Sequence, residues 1–123
     1  LGIAVDVEEH GNPRTDTDSV LQRLQTMTEY LNLRGYRVTF YTNKDGYAKY
    51  LSEYFRGFPM WICSFTDDSV GDDWAFWQYD HHAKVKGIQG DVDMNAFCGS
   101  REQWDSLWRR PVPGVAYPLR PEK

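Results

Sequence analysis

The first half of the chain switches between strand-like and helix-like spacing of its apolar residues. Residues 2–8 (GIAVDVE) are rich in β-branched side chains and lead into a Gly-Asn-Pro break at 11–13, which predicts a strand. The next apolar residues fall at helical spacing: Val20, Leu21, Leu24, Met27 and Leu31. Ser19 and Gln22 predict a capping box at the start of that helix, and Gly35 is placed to end it.

The same alternation is then repeated. Residues 36–42 (YRVTFYT) predict a second strand. A second helix is indicated by apolar positions at i, i+3, i+4, i+7 and i+8: Tyr47, Tyr50, Leu51, Tyr54 and Phe55. Strand–helix alternation favours an α/β fold with parallel strands joined by right-handed crossovers.

From Gly57 onward the pattern changes to three strand-like segments, 59–65, 74–79 and 88–95. Only eight residues separate each segment from the next, fewer than the dozen or so of a helical crossover, so we expect plain loops or hairpins between them.

A short final helix is predicted from Ser100, which forms a capping box with Gln103. Its buried side would consist of Trp104, Leu107 and Trp108. The prolines that follow predict a tail over residues 111–123 without regular structure.

Composition limits the classes of partner. With 123 residues and 41% hydrophobic content, the chain can form one ordinary domain with a core. Its net charge of −4 argues against nucleic-acid or anionic-membrane binding, since Arg109–Arg110 is the only close basic pair. Cys63 and Cys98 fit neither a disulfide scaffold nor a zinc site, and we expect two half-buried thiols.

Two acids share one face of the first strand. Asp6 and Glu8 lie two residues apart, about 7 Å along the chain, while Val5 and Val7 face the other way. A parallel strand covered on both faces is nearly all apolar, so this face is expected to line a polar cleft. One acid of such a pair can stay ionised while the other keeps a proton to donate. The alternative is a strand end where acids simply reach solvent.

Other polar and aromatic residues extend this picture. Asp91 and Asp93 repeat the two-residue spacing on the last predicted strand. Flat rings on or beside the strands could hold sugars or fill a core: Tyr41, Trp61, Trp74, Trp77 and Tyr79. His81–His82 beside Asp80 could bind a metal, but adjacent residues diverge, and a solvated loop is the preferred interpretation. His10 is likewise interpreted as a loop histidine.

Five ordered motifs resemble the later half of glycoside hydrolase family 25, the lysozymes (N-acetylmuramidases) that cut peptidoglycan between N-acetylmuramic acid and N-acetylglucosamine. They are VDVE at 5–8, FYTN at 40–43, MWICSF at 60–65, WAFWQY at 74–79 and GDVDMNAF at 90–97. The resemblance spans residues 2–108.

The resemblance implies a modified (β/α) barrel with five strand–helix units followed by three helix-free strands. This chain would supply strands four to eight, with residues 1–110 forming a catalytic domain that lacks its N-terminal part. The family's further aspartate, on its first strand, would precede residue 1. We therefore expect a truncated piece, or one that an N-terminal fragment or second chain completes. The seventh strand would hold Cys63 and Cys98 about 9–10 Å apart, too far for a disulfide.

The resemblance also implies roles for individual residues. Glu8 corresponds to the general acid, and Asp6 to the aspartate that orients the substrate's N-acetyl group in retention by substrate assistance. Asp93 corresponds to the acid on the last strand, with Asp91 as the nearby alternative. Positions lining the sugar cleft correspond to Tyr41, Trp61, Gln78 and Tyr79. Phe65 departs from the family, since a tyrosine is common there.

The leading hypothesis is therefore a peptidoglycan hydrolase that needs no metal or cofactor. The competing one is a non-catalytic cell-wall saccharide-binding fragment, and a third is a scaffold with an incidental pair of acids. Secretion or action at the cell envelope is implied by the substrate alone.

Overall fold

Five strands and three helices with a π-helix make up the part of the chain that the computed structural model describes, residues 2–12, 16–66 and 74–107. The strands are β1 (Ile3–Val7), β2 (Val38–Asn43), β3 (Met60–Cys63), β4 (Phe76–Ala83) and β5 (Val92–Phe97). The helices are α1 (Thr17–Leu33), α2 (Lys44–Gly46) and α3 (Arg101–Ser106), with the π-helix at Tyr47–Leu51. Trp108 and the proline-rich tail lie outside the described residues.

The strands form one mixed sheet in chain order, β1-β2-β3-β4-β5. The first four strands run parallel, and β5 pairs antiparallel with β4. The five predicted strands and the parallel start are thus confirmed. β3 ends at Cys63 and β4 begins at Phe76, so their connection is longer than predicted, which permits a parallel pairing. Among the strands of the described ranges, only β4 and β5 form a hairpin.

One face of the sheet is buried against α1 and the π-helix. Alternate residues on the first three strands supply this core: Val5, Val7, Val38, Phe40, Met60 and Ile62. Phe40 is fully buried and makes edge-on ring contacts at 5.3 Å with Phe55 and Phe58. Because side chains alternate along a strand, the intervening residues point to the opposite face of the sheet.

Helix α1 does not begin as predicted. Asp16 is its N-cap, and its carboxylate accepts hydrogen bonds from the backbone N–H and the hydroxyl of Ser19, so the expected Ser19–Gln22 capping box is wrong. The end is as predicted, since Gly35 follows the helix with φ +82°. Met27, expected in the core, is 43% exposed, and Thr28 is buried instead.

The predicted second helix is much shorter and partly of another type. Asn43 caps α2 by accepting a hydrogen bond of 2.8 Å from the Gly46 N–H, and the chain then widens into the π-helix. Tyr50 and Leu51 are buried as predicted, whereas Tyr54 is 67% exposed. No helix in the described ranges has the length and apolar character needed to cross a membrane.

Helix α3 begins as predicted, because the capping box of Ser100 and Gln103 is present.

Both cysteines are free. As predicted, β4 lies between the strand that ends at Cys63 and the strand that precedes Cys98. Cys63 is half-buried, but Cys98 is exposed, which corrects the expectation of two half-buried thiols.

Candidate active site

The face of the sheet opposite the core carries two rows of polar and aromatic side chains. In one row, neighbouring strands align Asp6, Tyr41, Trp61, Phe76 and Phe97. In the second row, nearer the carboxyl ends of the parallel strands, they align Asn43, Cys63, Gln78 and Asn95. We refer to this side of the sheet as the acidic face, because Asp6 and Glu8 lie on it.

Asp6 and Glu8 form a pair of interacting carboxyl groups on this face. Asp6 is exposed and Glu8 is half-buried just beyond the end of β1. Burial raises the pKa of Glu8, and the hydrogen bond and negative charge of Asp6 raise this pKa further, whereas His10 opposes the shift. Glu8 is therefore the member of the pair that holds its proton more tightly than a free glutamate.

Tyr41 and Cys63 lie next to these acids. The Tyr41 hydroxyl donates a hydrogen bond of 2.5 Å to Oε1 of Gln78, which is only 5% exposed. Burial raises the pKa of Tyr41, and its contact with Cys63 and the charges of Glu8 and Asp6 act in the same direction. The Tyr41 ring packs edge-on against Trp61, with centroids 4.8 Å apart.

The environment of Cys63 links Asp93 to the same site. Burial raises the pKa of this thiol, and the negative charges of Glu8, Asp93 and Asp6 raise it as well, while the Tyr41 hydroxyl opposes them. Asp6 and Glu8 belong to one edge of the sheet and Asp93 to the other edge. All three acids thus raise the pKa of Cys63 on the central strand β3. Asp93 is two residues before Asn95 on β5, so strand alternation places this third acid predicted to be catalytic on the acidic face as well.

Asn95 is a site residue that the sequence interpretation missed. Its Oδ1 accepts a hydrogen bond of 2.8 Å from Nε1 of Trp61, which fixes the indole ring across two strands. Since Asn95 is two residues after Asp93 on β5, the alternation of side chains along a strand placed it on the same face. That signal was present in the sequence.

Tyr79 and Asp91 are not brought to the acidic face, contrary to prediction. Tyr79 packs against Trp77, with ring centroids 5.8 Å apart, and Trp77 is aligned with the core residue Ile62. Asp91 precedes β5, and its carboxylate pairs with Lys84 and His82, both of which lower its pKa.

His81 and His82 belong to β4 and not to a loop as predicted. Across the described residues, no three His, Cys, Asp or Glu side chains converge in an arrangement that could hold a metal ion.

A groove of about 1130 Å³ adjoins the acid pair. Asp6 and Glu8 line one end of it, and the rest is formed by the turn at residues 9–12, by α1 and by the segment from Asn43 to Tyr50. The groove gives both carboxyl groups access to a solute.

Comparison with known proteins identifies the family of the chain. The family model described as glycosyl hydrolases family 25 matches residues 1–88. The chain belongs to this family. The structure agrees with this membership, since it has a mixed α/β fold with a five-stranded sheet similar to that of family 25 lysozymes.

Individual relatives match different shares of this family 25 chain. The uncharacterized protein YegX of Escherichia coli O6:H1 is 30% identical over 103 residues, which is 80% of this chain and 37% of YegX. Lysozyme M1 of Streptomyces globisporus is 40% identical over 47 residues, or 34% of this chain and 16% of that lysozyme. The structure of a family 25 glycosyl hydrolase from Bacillus anthracis superposes with a TM-score of 0.72 at 28% identity, covering 86% of this chain and 54% of the other.

These shares show that the chain spans only about half the length, or less, of the relatives that it matches.

Proposed function

We propose that this chain carries the acid-bearing part of a peptidoglycan hydrolase that cleaves the β-1,4 bond between N-acetylmuramic acid and N-acetylglucosamine. The observation that carries the proposal is the Asp6–Glu8 pair, because the raised pKa of Glu8 suits a group that must donate a proton near neutral pH. Family membership and the similarity to lysozyme M1 support the choice of substrate.

In this proposal Glu8 is the general acid. Its proton passes to the leaving glycosidic oxygen as the bond from that oxygen to the anomeric carbon breaks. The carbonyl oxygen of the substrate's own N-acetyl group, oriented by Asp6, forms the new bond to the anomeric carbon. Water then attacks the anomeric carbon while it transfers a proton to Glu8, and the bond from that carbon to the N-acetyl oxygen breaks, with net retention. Asp93 contributes negative charge from the far side of the acidic face.

Substrate binding is assigned to the rings and amides of the same face. Tyr41 and Trp61 offer a pair of edge-packed rings, held by Gln78 and Asn95 respectively. Aromatic faces flanked by fixed hydrogen-bonding groups are the usual surroundings of a sugar. Since peptidoglycan lies outside the cytoplasm, we place the site of action at the cell envelope or in the medium.

We further propose that an N-terminal segment or a second chain completes the barrel beside β1. In the described part of the chain, β1 pairs with β2 alone, so its other edge has no strand partner there. Several apolar side chains of β1 and α1 are also exposed: Ile3 at 40%, Met27 at 43%, Tyr30 at 55% and Leu33 at 81%. The greater length of the relatives supports this completion.

A saccharide-binding fragment without hydrolysis is the second candidate. The observation that favours it is coverage, because the chain corresponds to only 54% of the Bacillus anthracis enzyme. A cleft could then bind the glycan with too few groups to cleave it.

One experiment separates the two functions. Purified peptidoglycan is incubated with the wild-type chain, with Glu8→Gln and with the surface control Glu102→Gln, which alters an exposed acid on α3. Soluble muropeptides are analysed by mass spectrometry, and sedimentation with insoluble peptidoglycan measures binding.

Hydrolysis predicts new reducing-end N-acetylmuramic acid with wild type and Glu102→Gln, and none with Glu8→Gln. Equal sedimentation of all three proteins without any soluble product supports the binding fragment. Product formation by Glu8→Gln at the wild-type rate contradicts the role of Glu8.

A further inference from the structure

Glu8 lies one residue beyond the last paired position of β1, yet its backbone is held on both sides. Before it, the Val7 carbonyl accepts a hydrogen bond of 2.7 Å from the Thr42 hydroxyl. After it, Asn12 closes a turn: its side-chain amide donates to the Glu8 carbonyl at 2.6 Å, and its N–H donates to the Glu9 carbonyl at 3.1 Å. These hydrogen bonds fix the backbone around Glu8. They do not by themselves determine the direction of its side chain.

The side chain of Glu9 is attached to the π-helix. Its Oε1 accepts a hydrogen bond of 2.9 Å from the Tyr50 hydroxyl, and Lys49 forms an ion pair with the same oxygen. Tyr50 is only 6% exposed, and its ring belongs to the core, so the hydroxyl is a fixed point. The Lys49 and Glu9 side chains are about half exposed, and pairs of this kind contribute little because water screens them.

Glu8 continues the alternation of β1 and shares the side of Asp6, and the chain bends directly after it at Glu9. Anchoring Glu9 to Tyr50 therefore restrains this bend and, with it, the direction of the Glu8 side chain. We propose that Glu9 and Tyr50 are positioning residues that hold the Glu8 carboxyl against Asp6. The inference rests on the proposed role of Glu8 for its catalytic meaning, but its structural content can be tested without any hydrolysis.

The π-helix explains why Tyr50 is available for this contact. Its wider turn, closed by the hydrogen bond from the Ser52 N–H to the Tyr47 carbonyl at 2.8 Å, alters the direction of the residues within it relative to an α-helix. π-helical turns are frequent at functional sites. Here the π-helix contacts Glu9, the residue next to the proposed general acid Glu8.

The pKa of Glu8 reports its position, because this pKa depends on burial and on the distance to Asp6. The other titratable groups acting on Glu8 are His10 in the following turn, Tyr41 on β2 and Cys63 on β3. Tyr50→Phe changes none of these charges and removes one hydroxyl. A change in the Glu8 pKa in this variant therefore measures displacement of the carboxyl group.

The test is a carbon-13 NMR titration of the Glu8 carboxyl in the chain labelled at glutamate, assigned by its loss in Glu8→Gln. We expect the pKa of Glu8 to fall toward 4.5, the ordinary glutamate value, in Tyr50→Phe. Lys49→Met removes the exposed ion pair with Glu9 and the contact of the Lys49 ammonium with the Tyr50 ring, but it keeps the Tyr50 hydroxyl, and we expect it to leave the Glu8 pKa at or above the wild-type value. An unchanged Glu8 pKa in a folded Tyr50→Phe variant overturns the inference.

A second pair of variants covers the case in which Tyr50→Phe fails to fold. Glu9→Gln and Glu9→Ala lose the same charge, but only glutamine keeps an oxygen that can accept from Tyr50. We expect a lower Glu8 pKa in Glu9→Ala than in Glu9→Gln. Equal values in the two variants overturn the positioning role.

Kinetics on peptidoglycan distinguishes this inference from the proposed function. With an active enzyme, Tyr50→Phe should lower kcat by about 10- to 100-fold, a magnitude typical of misplaced catalytic groups, with little change in KM. The alkaline limb of the pH profile should move to lower pH because Glu8 loses its proton earlier. If Glu8→Gln hydrolyses peptidoglycan at the wild-type rate but the Glu8 pKa still falls in Tyr50→Phe, positioning stands and the proposed catalytic role of Glu8 fails. If wild type hydrolyses peptidoglycan but the Glu8 pKa is unchanged in Tyr50→Phe, the hydrolase proposal stands and the positioning role of Tyr50 fails.

Discussion

The Tyr41 hydroxyl on β2 reaches diagonally across β3 and donates a hydrogen bond of 2.5 Å to Gln78 Oε1 on β4. It passes the end of β3 at Cys63, whose thiol also contacts Tyr41. Since Gln78 is buried, its side-chain carbonyl oxygen is shielded from water and accepts a hydrogen bond from the Tyr41 phenol in its place. The bond joins three neighbouring strands and fixes the ring that we assign to sugar binding.

The first prediction concerns the energy of this bond. Tyr41→Phe leaves a buried amide oxygen without its donor, and we expect the free energy of unfolding to fall by about 1–3 kcal/mol. Gln78→Leu removes the acceptor. In the double variant no unpaired acceptor remains, so its loss should be smaller than the sum of the single losses by about 1 kcal/mol. Urea unfolding of the four proteins measures this coupling, and strictly additive losses would show that the two side chains do not interact.

The second prediction follows from the raised pKa of Glu8. As pH rises, the unfolded chain releases the Glu8 proton near 4.5, while the folded chain retains it until its higher pKa is reached. In that window the folded state binds more protons, so the Glu8 contribution to stability is lost as pH rises through the window. Glu8→Gln does not titrate. We therefore expect this variant to gain stability relative to wild type between acid and neutral pH.

Thermal unfolding of both proteins well below pH 4.5 and at pH 7 provides the measurement, with Glu102→Gln as the control on an exposed acid. The Tm difference between Glu8→Gln and wild type should become more favourable to the variant at neutral pH, whereas the control should show no such trend. A Tm difference that does not vary with pH would contradict the raised pKa of Glu8.

The sheet could be predicted from sequence because its strands have a recognisable local pattern of apolar and polar residues. Runs of β-branched residues alternate with polar ones in β1 and β2, and the spacing between elements indicated where helical crossovers end. The acid pair also followed from local geometry, since residues two apart on a strand share a face. Asp6 and Glu8 needed no tertiary information.

The missed features depend on register and on contacts between distant segments. Gln78 and Tyr79 were both assigned to the cleft, but adjacent residues of a strand face opposite sides, and pairing with β3 places Gln78 on the acidic face. β4 continues through His81 and His82 because it pairs with β5, which a polar sequence does not indicate. The π-helix arises in a segment whose apolar spacing suits an ordinary helix.

The third prediction concerns the two thiols. Cys98 is exposed, whereas burial and three neighbouring carboxylates raise the pKa of Cys63 and keep it in the unreactive thiol form. At mildly alkaline pH we expect iodoacetamide to modify Cys98 at least about tenfold faster than Cys63, because only the thiolate reacts. Peptide mapping by mass spectrometry at successive times measures both rates. A Cys98→Ser variant isolates the slow reaction, and equal rates at the two sites would contradict the environment assigned to Cys63.

The fourth prediction concerns the end of β1, on which the position of Glu8 depends. Thr42 is fully buried, and its hydroxyl donates to the Val7 carbonyl at 2.7 Å. Thr42→Val keeps the shape but removes this donor, so we expect a loss of about 1–3 kcal/mol in the free energy of unfolding. Thr39→Val makes the same change on the same strand at a half-buried position of the opposite face. That control should stay within about 0.5 kcal/mol of wild type.

Hydrogen exchange shows whether the effect of Thr42→Val reaches the proposed acid. The turn that follows Val7 contains Glu8 and Glu9, and its amides should exchange faster in Thr42→Val than in Thr39→Val if the hydroxyl holds the strand end in place. Faster exchange confined to the core strands, with the turn unaffected, would show that Thr42 supports the sheet without restraining Glu8. The hydroxyl of Thr42 would then be a purely structural donor, and the orientation of Glu8 would depend on Asn12 and on the Tyr50–Glu9 contact alone.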